Sequence, residues 1–454
     1  MKQNKGKAAA VINAPSDKWH KDAVFYHIFT LSAIGAPFIN DYRQQAHKAE
    51  ILEKYIPHLL SLGVNAVLLS PVLQSRSHGY DVTDYFNIDN RFCTNDEFRR
   101  LVDQFHEAGI KVVLDSVYNH CGRDFTVFQE LRAGRRENAE WFSGVRFGGT
   151  TPFGDPFDYE NWSGHYELVK FHLQSFKVKE YLLSATKFWI RELGIDGMRL
   201  DSANVMDFDF MKELRQLVTA EKPDFWLMGE VVHGDYTRWL GNEMLHSVTG
   251  YMLYKALYSS HNENNLYELA HTLQNTQPQN GLFNYNFLDN HDQPRIASLV
   301  HNPQFLSTLY ILLFTLPGHP SIYYGSEWAV KGRKGENVPT GGNDDSPLRP
   351  YFDPEHFPED TELTRLIRRL CAIRGELPAL RRGSFRQIYL EYHKPFIFER
   401  ESEGQRVISA VNIGESDEFI TIDGGMYREH ISGTVINGGS ISLQNHSGVI
   451  LTKE

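Results

Sequence analysis

Cysteine is scarce: three residues in 454, Cys93, Cys121 and Cys371. Their wide spacing and odd number argue against a disulfide framework or a CxxC metal site, and a reducing compartment is the simpler reading. Long apolar runs are missing too. The N-terminus, MKQNKGKAAAVINAPSDKWHKD, starts basic but lacks the continuous apolar segment of a signal peptide. The most apolar stretch, Leu306 to Pro320, carries polar residues and is too short to span a bilayer. A soluble, cytoplasmic protein is expected. Positive charge is in deficit, with 46 Lys and Arg against 57 Asp and Glu, a net −11. Such a field repels phosphate, so neither nucleic acid nor an anionic membrane is expected as a partner. There is no tandem repeat of 20–50 residues and no low-complexity tract.

What the chain has in quantity is aromatic rings: 7 Trp, 22 Tyr and 29 Phe. They pack cores and also stack on flat apolar ligand faces, so an acidic, aromatic-rich chain suits a neutral or cationic substrate. Apolar runs alternate with helical patterns. Val24–Ile28, Ala66–Leu69, Lys111–Leu114, Gly197–Leu200 and Trp226–Met228 read as strands, with later ones near His246–Thr249, Phe283–Leu288 and Ser321–Tyr324. Between them, Glu50–Leu62 reads as an amphipathic helix with Ile51, Leu52, Tyr55, Ile56, Leu59 and Leu60 on one face, capped by Gly63. Asn95–Glu107, Asp207–Thr219 and Val178–Leu193 follow as further helices. Eight strands with helices between them predict an α/β fold, a (β/α)8 TIM barrel. A doubly wound open sheet is the alternative, but its Gly-rich phosphate fingerprint is missing after the first strand.

The gap from His120 to Gly197 is too long for one connection, and 121–170 is rich in Gly, Pro, Asp and Phe. This predicts a small inserted subdomain after strand 3. From about Arg382 short alternating runs such as Val407–Val411 and Phe419–Ile422 predict a C-terminal antiparallel β-sandwich domain. The expected organisation is a barrel of residues 1–120 and 171–376, an insert of 121–170 and a β-domain of 377–454. The loop Ser326–Pro350 is either a mobile surface loop or part of a substrate cleft.

Functional residues of such a barrel sit at the C-terminal strand ends. There the sequence places Asp115 and His120, Arg199 and Asp201, Glu230, and His291 and Asp292. Three carboxylates, Asp201, Glu230 and Asp292, converge on one mouth. Arg199, two residues before Asp201, shares its side of the strand and should keep Asp201 ionised. Glu230, among Trp226, Leu227, Met228, Val231 and Val232, should be raised toward an acid's working range. One low and one high carboxyl group is the pairing glycoside hydrolysis needs. Asp115 is expected to orient Arg199 and the backbone.

These residues carry a family resemblance. DSVYNH at 115–120, GMRLDSANV at 197–205, MGEVVHG at 228–234 and FLDNHD at 287–292 resemble, in order, four signature regions of the α-amylase family of glycoside hydrolases. HGYDVTDYF at 78–86 and GHPSIYYGSEW at 318–328 resemble two more. The resemblance implies a retaining double displacement on α-glucosidic bonds. Asp201 would be the nucleophile, Glu230 the general acid and then base, and Asp292 the transition-state stabiliser. Substrate-binding residues would be Tyr80, stacking on the sugar, with His120, Arg199, His291 and Arg295. A retaining pair of carboxyl groups is expected about 5–5.5 Å apart.

Asn204 and GEVVHGDYTRWL at 229–240 resemble the neopullulanase, cyclomaltodextrinase and maltogenic amylase subgroup, whereas HDQPR at 291–295 is more like oligo-1,6-glucosidases. The implied substrates are maltodextrins or related short α-glucans, cyclodextrins and pullulan included. A transglycosylase or an α-1,6 or sucrose-type glucosidase is the enzymatic alternative, and a non-catalytic glucan-binding protein the other. With about 20 residues before the first strand, the extra N-terminal β-domain of many neopullulanases is expected to be absent, and the oligomeric state is left open. No cofactor is expected to be required. Calcium is common in the family, but TLSAIGAPFINDY at 30–42 lacks the usual Asp/Asn cluster, which leaves Asn119 with carboxylates of the insert as the one place for a metal.

Overall fold

The structure, a computed structural model, describes residues 19–276, 283–336 and 344–454. The N-terminal residues read above for a signal, and part of the 326–350 loop, lie outside that range. Eight parallel strands form one sheet: β1 (Phe25–Phe29), β2 (Ala66–Ser70), β3 (Lys111–Ser116), β4 (Gly197–Leu200), β5 (Trp226–Gly229), β6 (Ser247–Val248), β7 (Tyr285–Phe287) and β8 (His319–Tyr323). Consecutive strands pair from β1 to β6, while β8 lies between β1 and β7. A parallel bridge from Thr249 to Tyr285 closes the barrel. Nearly every barrel-strand residue is buried, as expected of strands covered on both faces, and this is why they read as unbroken apolar runs.

The helix Asn95–Glu107 shows how local sequence sets an element. Thr94 and Glu97 form a capping box, with Thr94 N–H donating to Glu97 Oε2 at 2.8 Å. Phe98, Leu101, Val102 and Phe105 recur at helical spacing and are buried, and Gly109 ends the element in the left-handed region. Phe305–Thr315 is apolar on all sides because it is covered on all sides: it packs against Glu362–Glu376 and against two strands of the C-terminal sheet.

Two readings need correction. The expected helix Glu50–Leu62 is broken into Ala49–Glu53 and Ile56–Leu62. Pro57 has no N–H for a carbonyl one turn back, so a continuous helix would lose a bond there; Leu60 is exposed. The alternation of strand and helix also lapses once. Between β5 and β6 the described residues hold only a 3-10 turn, Tyr236–Arg238.

Between β3 and the barrel helix Phe176–Arg191, the chain forms its own three-stranded sheet from His120–Gly122, Asn161–Trp162 and His165–Lys170, with a helix at Thr126–Arg132. The C-terminal strands β9 (Ser384–Tyr389), β10 (Phe396–Ser402), β11 (Gln405–Asn412), β12 (Glu418–Glu429), β13 (Val435–Leu443) and β14 (Ser447–Lys453) make one antiparallel sheet in the order β9-β10-β11-β14-β12-β13. Its register slips between Ile422 and Met426 of β12. Ile397 and Ile408 share a buried cluster with Ile420, Tyr427 and Ile441, so the layers of the expected sandwich come from one sheet curled over its own core.

Candidate active site

Asp201 and Glu230 each follow the last residue of a strand, and both extend the backbone ladder by one bond. Asp201 N–H donates to Ser116 O, and Glu230 N–H to Leu200 O, each at 2.9 Å. The two carboxylates therefore leave adjacent strands at one level of the barrel mouth. Ser202 touches both: its N–H donates to Glu230 Oε2 at 2.9 Å and its hydroxyl to Asp201 Oδ2 at 3.1 Å. To do so it adopts φ 50°, ψ 35°, a left-handed backbone that a serine holds at some cost.

Arg199 is buried and ties the acidic groups together. Its Nη1 lies 2.6 and 2.8 Å from the oxygens of Asp115 and 3.4 Å from Asp201 Oδ1; its Nη2 lies 2.9 Å from Glu230 Oε1. The expectation for Asp115 is thus met in geometry, but the expectation that Arg199 keeps Asp201 low is not. Arg199 sits closer to Asp115 and Glu230 than to Asp201. Burial, and next the Glu230 carboxylate, push the Asp201 carboxyl well above its usual range, against the opposing pull of Arg199.

Asp292 behaves oppositely. Burial would raise it, but the His291 ring, 2.9 Å away, and the Arg349 guanidinium, 3.1 Å away, hold it well below the carboxylate range. Tyr80 lies parallel to the His291 ring, with centroids 5.4 Å apart and an interplanar angle of 10°. Its hydroxyl donates to Asp115 at 2.9 Å and meets His291 Nε2 at 2.5 Å. His120 is buried, which drops its pKa to about 3, and its Nε2 has no protein partner. A neutral imidazole with an unpartnered nitrogen suits a sugar hydroxyl. The Trp162 ring lies 6.1 Å from it. Phe125, Phe128 and Phe157 are buried beside a half-buried Trp141, whereas Phe147 and Phe153 face solvent.

Arg295 does not belong with these groups. It is fully buried, donates to Tyr324 O at 2.7 Å and lies over the Tyr323 ring at 4.0 Å. Those contacts brace the end of β8, so the substrate-binding reading is corrected. The arginine that reaches the carboxylates from this side is Arg349, at the end of the 326–350 loop. That loop thus supplies the cleft, at least at its far end. Tyr251, whose hydroxyl donates to Glu230 Oε1 at 3.2 Å, and Asn290, which donates to Tyr251 at 3.0 Å, were also missed. Asn290 had a signal, since it adjoins His291; Tyr251 and Arg349 had none, because only the closed barrel brings them in.

The residues named for a metal are engaged with other groups. Asn119 bonds His120 Nδ1 at 3.3 Å. In the insert, Asp155 is held by Arg123 and Arg132, Asp158 by Arg146 and Glu160 by Lys170. Among the described residues no group of three or more His, Cys, Asp or Glu side chains is set to hold a metal ion.

Residues 50–367 match the family model for the α-amylase catalytic domain. A cyclomaltodextrinase of Geobacillus thermopakistaniensis (strain MAS1) is 32% identical over 430 residues, covering 89% of this chain and 70% of that protein. An intracellular maltogenic amylase of Bacillus subtilis (strain 168) is 30% identical over 433 residues, covering 89% and 71%. A solved cyclomaltodextrinase structure superposes with a TM-score of 0.82 at 25% identity, covering 96% of this chain and 78% of that one. With this match over most of its length and an acidic site at the mouth of a closed barrel, the chain belongs to the α-amylase family of glycoside hydrolases and is an α-glycosidase.

Proposed function

We propose that the protein hydrolyses α-glucosidic bonds in maltodextrins and related short α-glucans, cyclodextrins and pullulan included, with retention of configuration. The observation that carries this reading is the placement of Asp201 and Glu230 on adjacent strand ends, bridged by Ser202 and Arg199, with an ionised Asp292 nearby. The relatives named for cyclomaltodextrin and maltogenic activity support the substrate class. Asp201 attacks the anomeric carbon while Glu230 gives its proton to the departing glycosidic oxygen, leaving a glycosyl ester on Asp201. Glu230 then takes a proton from water, which displaces Asp201 from the sugar. For the first step Asp201 must be ionised and Glu230 must carry a proton. Asp292, kept negative by His291 and Arg349, faces the developing oxocarbenium charge. His120 bonds hydroxyls and Tyr80 walls the sugar ring.

We assign the protein to the cytoplasm. Cys93, Cys121 and Cys371 are all buried and unpaired, which fits a reducing compartment, and a relative carries the name intracellular maltogenic amylase. No helix among the described residues is long and apolar enough to cross a membrane. The test is a product panel on maltotriose, β-cyclodextrin, pullulan, isomaltose and sucrose. Maltose and glucose should appear from the first two, and small oligosaccharides from pullulan. Turnover of isomaltose or sucrose alone would move the assignment to the α-1,6 or sucrose-type alternative, and turnover of none would overturn the hydrolase reading.

A further inference from the structure

The first loop of the barrel mouth, residues 34–48, has little regular structure of its own. What it does have is a cation supplied by the chain. Arg91 is 5% exposed. Its Nη1 donates to the carbonyls of Pro37 (3.0 Å), Phe38 (2.7 Å) and Ser77 (2.8 Å). Its Nε and Nη2 donate to the two oxygens of Asp89 at 2.9 and 2.7 Å, and Nη2 also donates to Ser75 Oγ at 2.8 Å. Three separate segments meet at this one group: the first loop, the hairpin Leu73–Ser75/Val82–Ile88 with its connecting turn, and the turn at 89–91. Asn40 adds a parallel clasp, donating to Ser75 O at 3.0 Å and to Asn90 Oδ1 at 2.7 Å.

The contacts continue to the active site. Ser77, whose carbonyl Arg91 holds, binds the Asp81 carboxylate through its own N–H at 3.1 Å and its hydroxyl at 2.7 Å. Between those residues lies Tyr80. The turn is tightly fitted: Gly79 has φ 97°, and a Cβ there would lie 1.8 Å from Pro71 Cγ. Tyr80 then reaches Asp115 and His291 as described. Three carbonyls, a carboxylate and a hydroxyl are the hard oxygen donors that a divalent cation would collect. Here a planar guanidinium takes them, its five N–H groups facing six acceptor oxygens.

We propose that the Arg91 guanidinium is the built-in cation of this first loop, holding the loop and the Tyr80 turn together in place of a bound divalent ion, and that Arg91 is a positioning residue for Tyr80. Its effect on turnover rests on the α-glucan reading above; its hold on the loop does not. Arg91→Ala would leave an oxygen-lined cavity with no positive charge, which an added cation should refill.

The experiment compares wild type, Arg91→Ala and Arg91→Lys by kcat/KM on maltotriose and by thermal midpoint. Each is measured alone, with EDTA, with guanidinium chloride at tens of millimolar, and with millimolar calcium chloride. Wild type should be indifferent to EDTA and to both cations. Arg91→Ala should lose on the order of 10²-fold in kcat/KM, the scale of a misplaced substrate-contacting group. Guanidinium or calcium should restore activity and midpoint saturably, and Arg91→Lys should fall between. Three results would overturn the proposal: wild type inactivated by EDTA and restored by calcium, Arg91→Ala with unaltered activity and midpoint, or an impaired Arg91→Ala that neither cation improves in either readout. If Arg91→Ala is recovered only unfolded, refolding with guanidinium and the Arg91→Lys midpoint decide; failure of both also counts against it. If wild type turns over no α-glucan, the functional reading fails while the midpoints still test the loop.

Discussion

Replacing Asp201 with Asn lowers kcat/KM on maltotriose by on the order of 10⁴-fold, a loss of roughly 5.5 kcal/mol of transition-state stabilisation, and at the same time raises the thermal midpoint. The first effect follows from removing the nucleophile, since an amide forms no glycosyl ester. The second follows from the electrostatics of the free enzyme. Burial and the Glu230 carboxylate push the Asp201 carboxyl up. A carboxyl that binds its proton more tightly folded than unfolded gives its full stabilisation below about pH 4, its unfolded value. That contribution is lost as pH rises toward the raised folded value, so at about pH 7 the buried Asp201 carboxyl costs stability. The amide of Asp201→Asn would keep the shape and carry no charge, so a gain of about 1 kcal/mol, or ~2 °C, is expected in neutral buffer. The gain should shrink as the pH is lowered toward about 4. Calorimetry across pH measures it; an Asp201→Asn protein that is inactive but less stable at about pH 7 would contradict this account of the pair.

Glu230→Gln has the second large effect, and it depends on the leaving group. A sugar leaves poorly without a proton, so turnover of maltotriose falls by about 10³-fold, within the range for loss of a general acid. Fluoride needs no such proton. With an α-glucosyl fluoride the first step therefore survives, and the glycosyl-enzyme accumulates because no base activates water. Added azide, which needs no general base, should restore turnover and yield a glycosyl azide. Equal losses on both substrates, with no response to azide, would remove Glu230 from the acid–base role. The amide also withdraws the charge from a site that Arg199, Tyr251 and Ser202 all address, so the midpoint is a necessary control.

The barrel was legible because its strands are short, buried on both faces and rich in β-branched and aliphatic residues, and because a signal such as Thr94 with Glu97 marks a helix start within four residues. Asp201, Glu230 and Asp292 were legible because each is an acidic residue just past an apolar strand. What failed depended on distances that sequence does not carry. Arg199 is two residues from Asp201, so it was read as that residue's partner, yet the folded chain turns it toward Asp115 and Glu230. Arg295 looked like a cleft residue by its motif, but Tyr323 and Tyr324, next to it only in the closed barrel, bury it. Arg349 reaches Asp292 from a loop whose composition showed nothing beyond polarity and glycine. The break near Pro57 is different, because the missing N–H was visible and the apolar spacing obscured it.

The raised Asp201 carboxyl also shapes the rate profile. The acid limb of kcat/KM belongs to ionisation of Asp201 and should lie above the pH near 4 of an isolated carboxylate. Asp292 adds no limb there, since His291 and Arg349 keep it ionised through that range.

The central claim is a double displacement at Asp201 with Glu230 as acid and base, and the stereochemistry of the first product tests it most directly. Proton NMR of maltotriose hydrolysis, recorded before mutarotation, should show the newly formed reducing end as the α-anomer. The β-anomer appearing first would mean a single displacement by water and would contradict the mechanism.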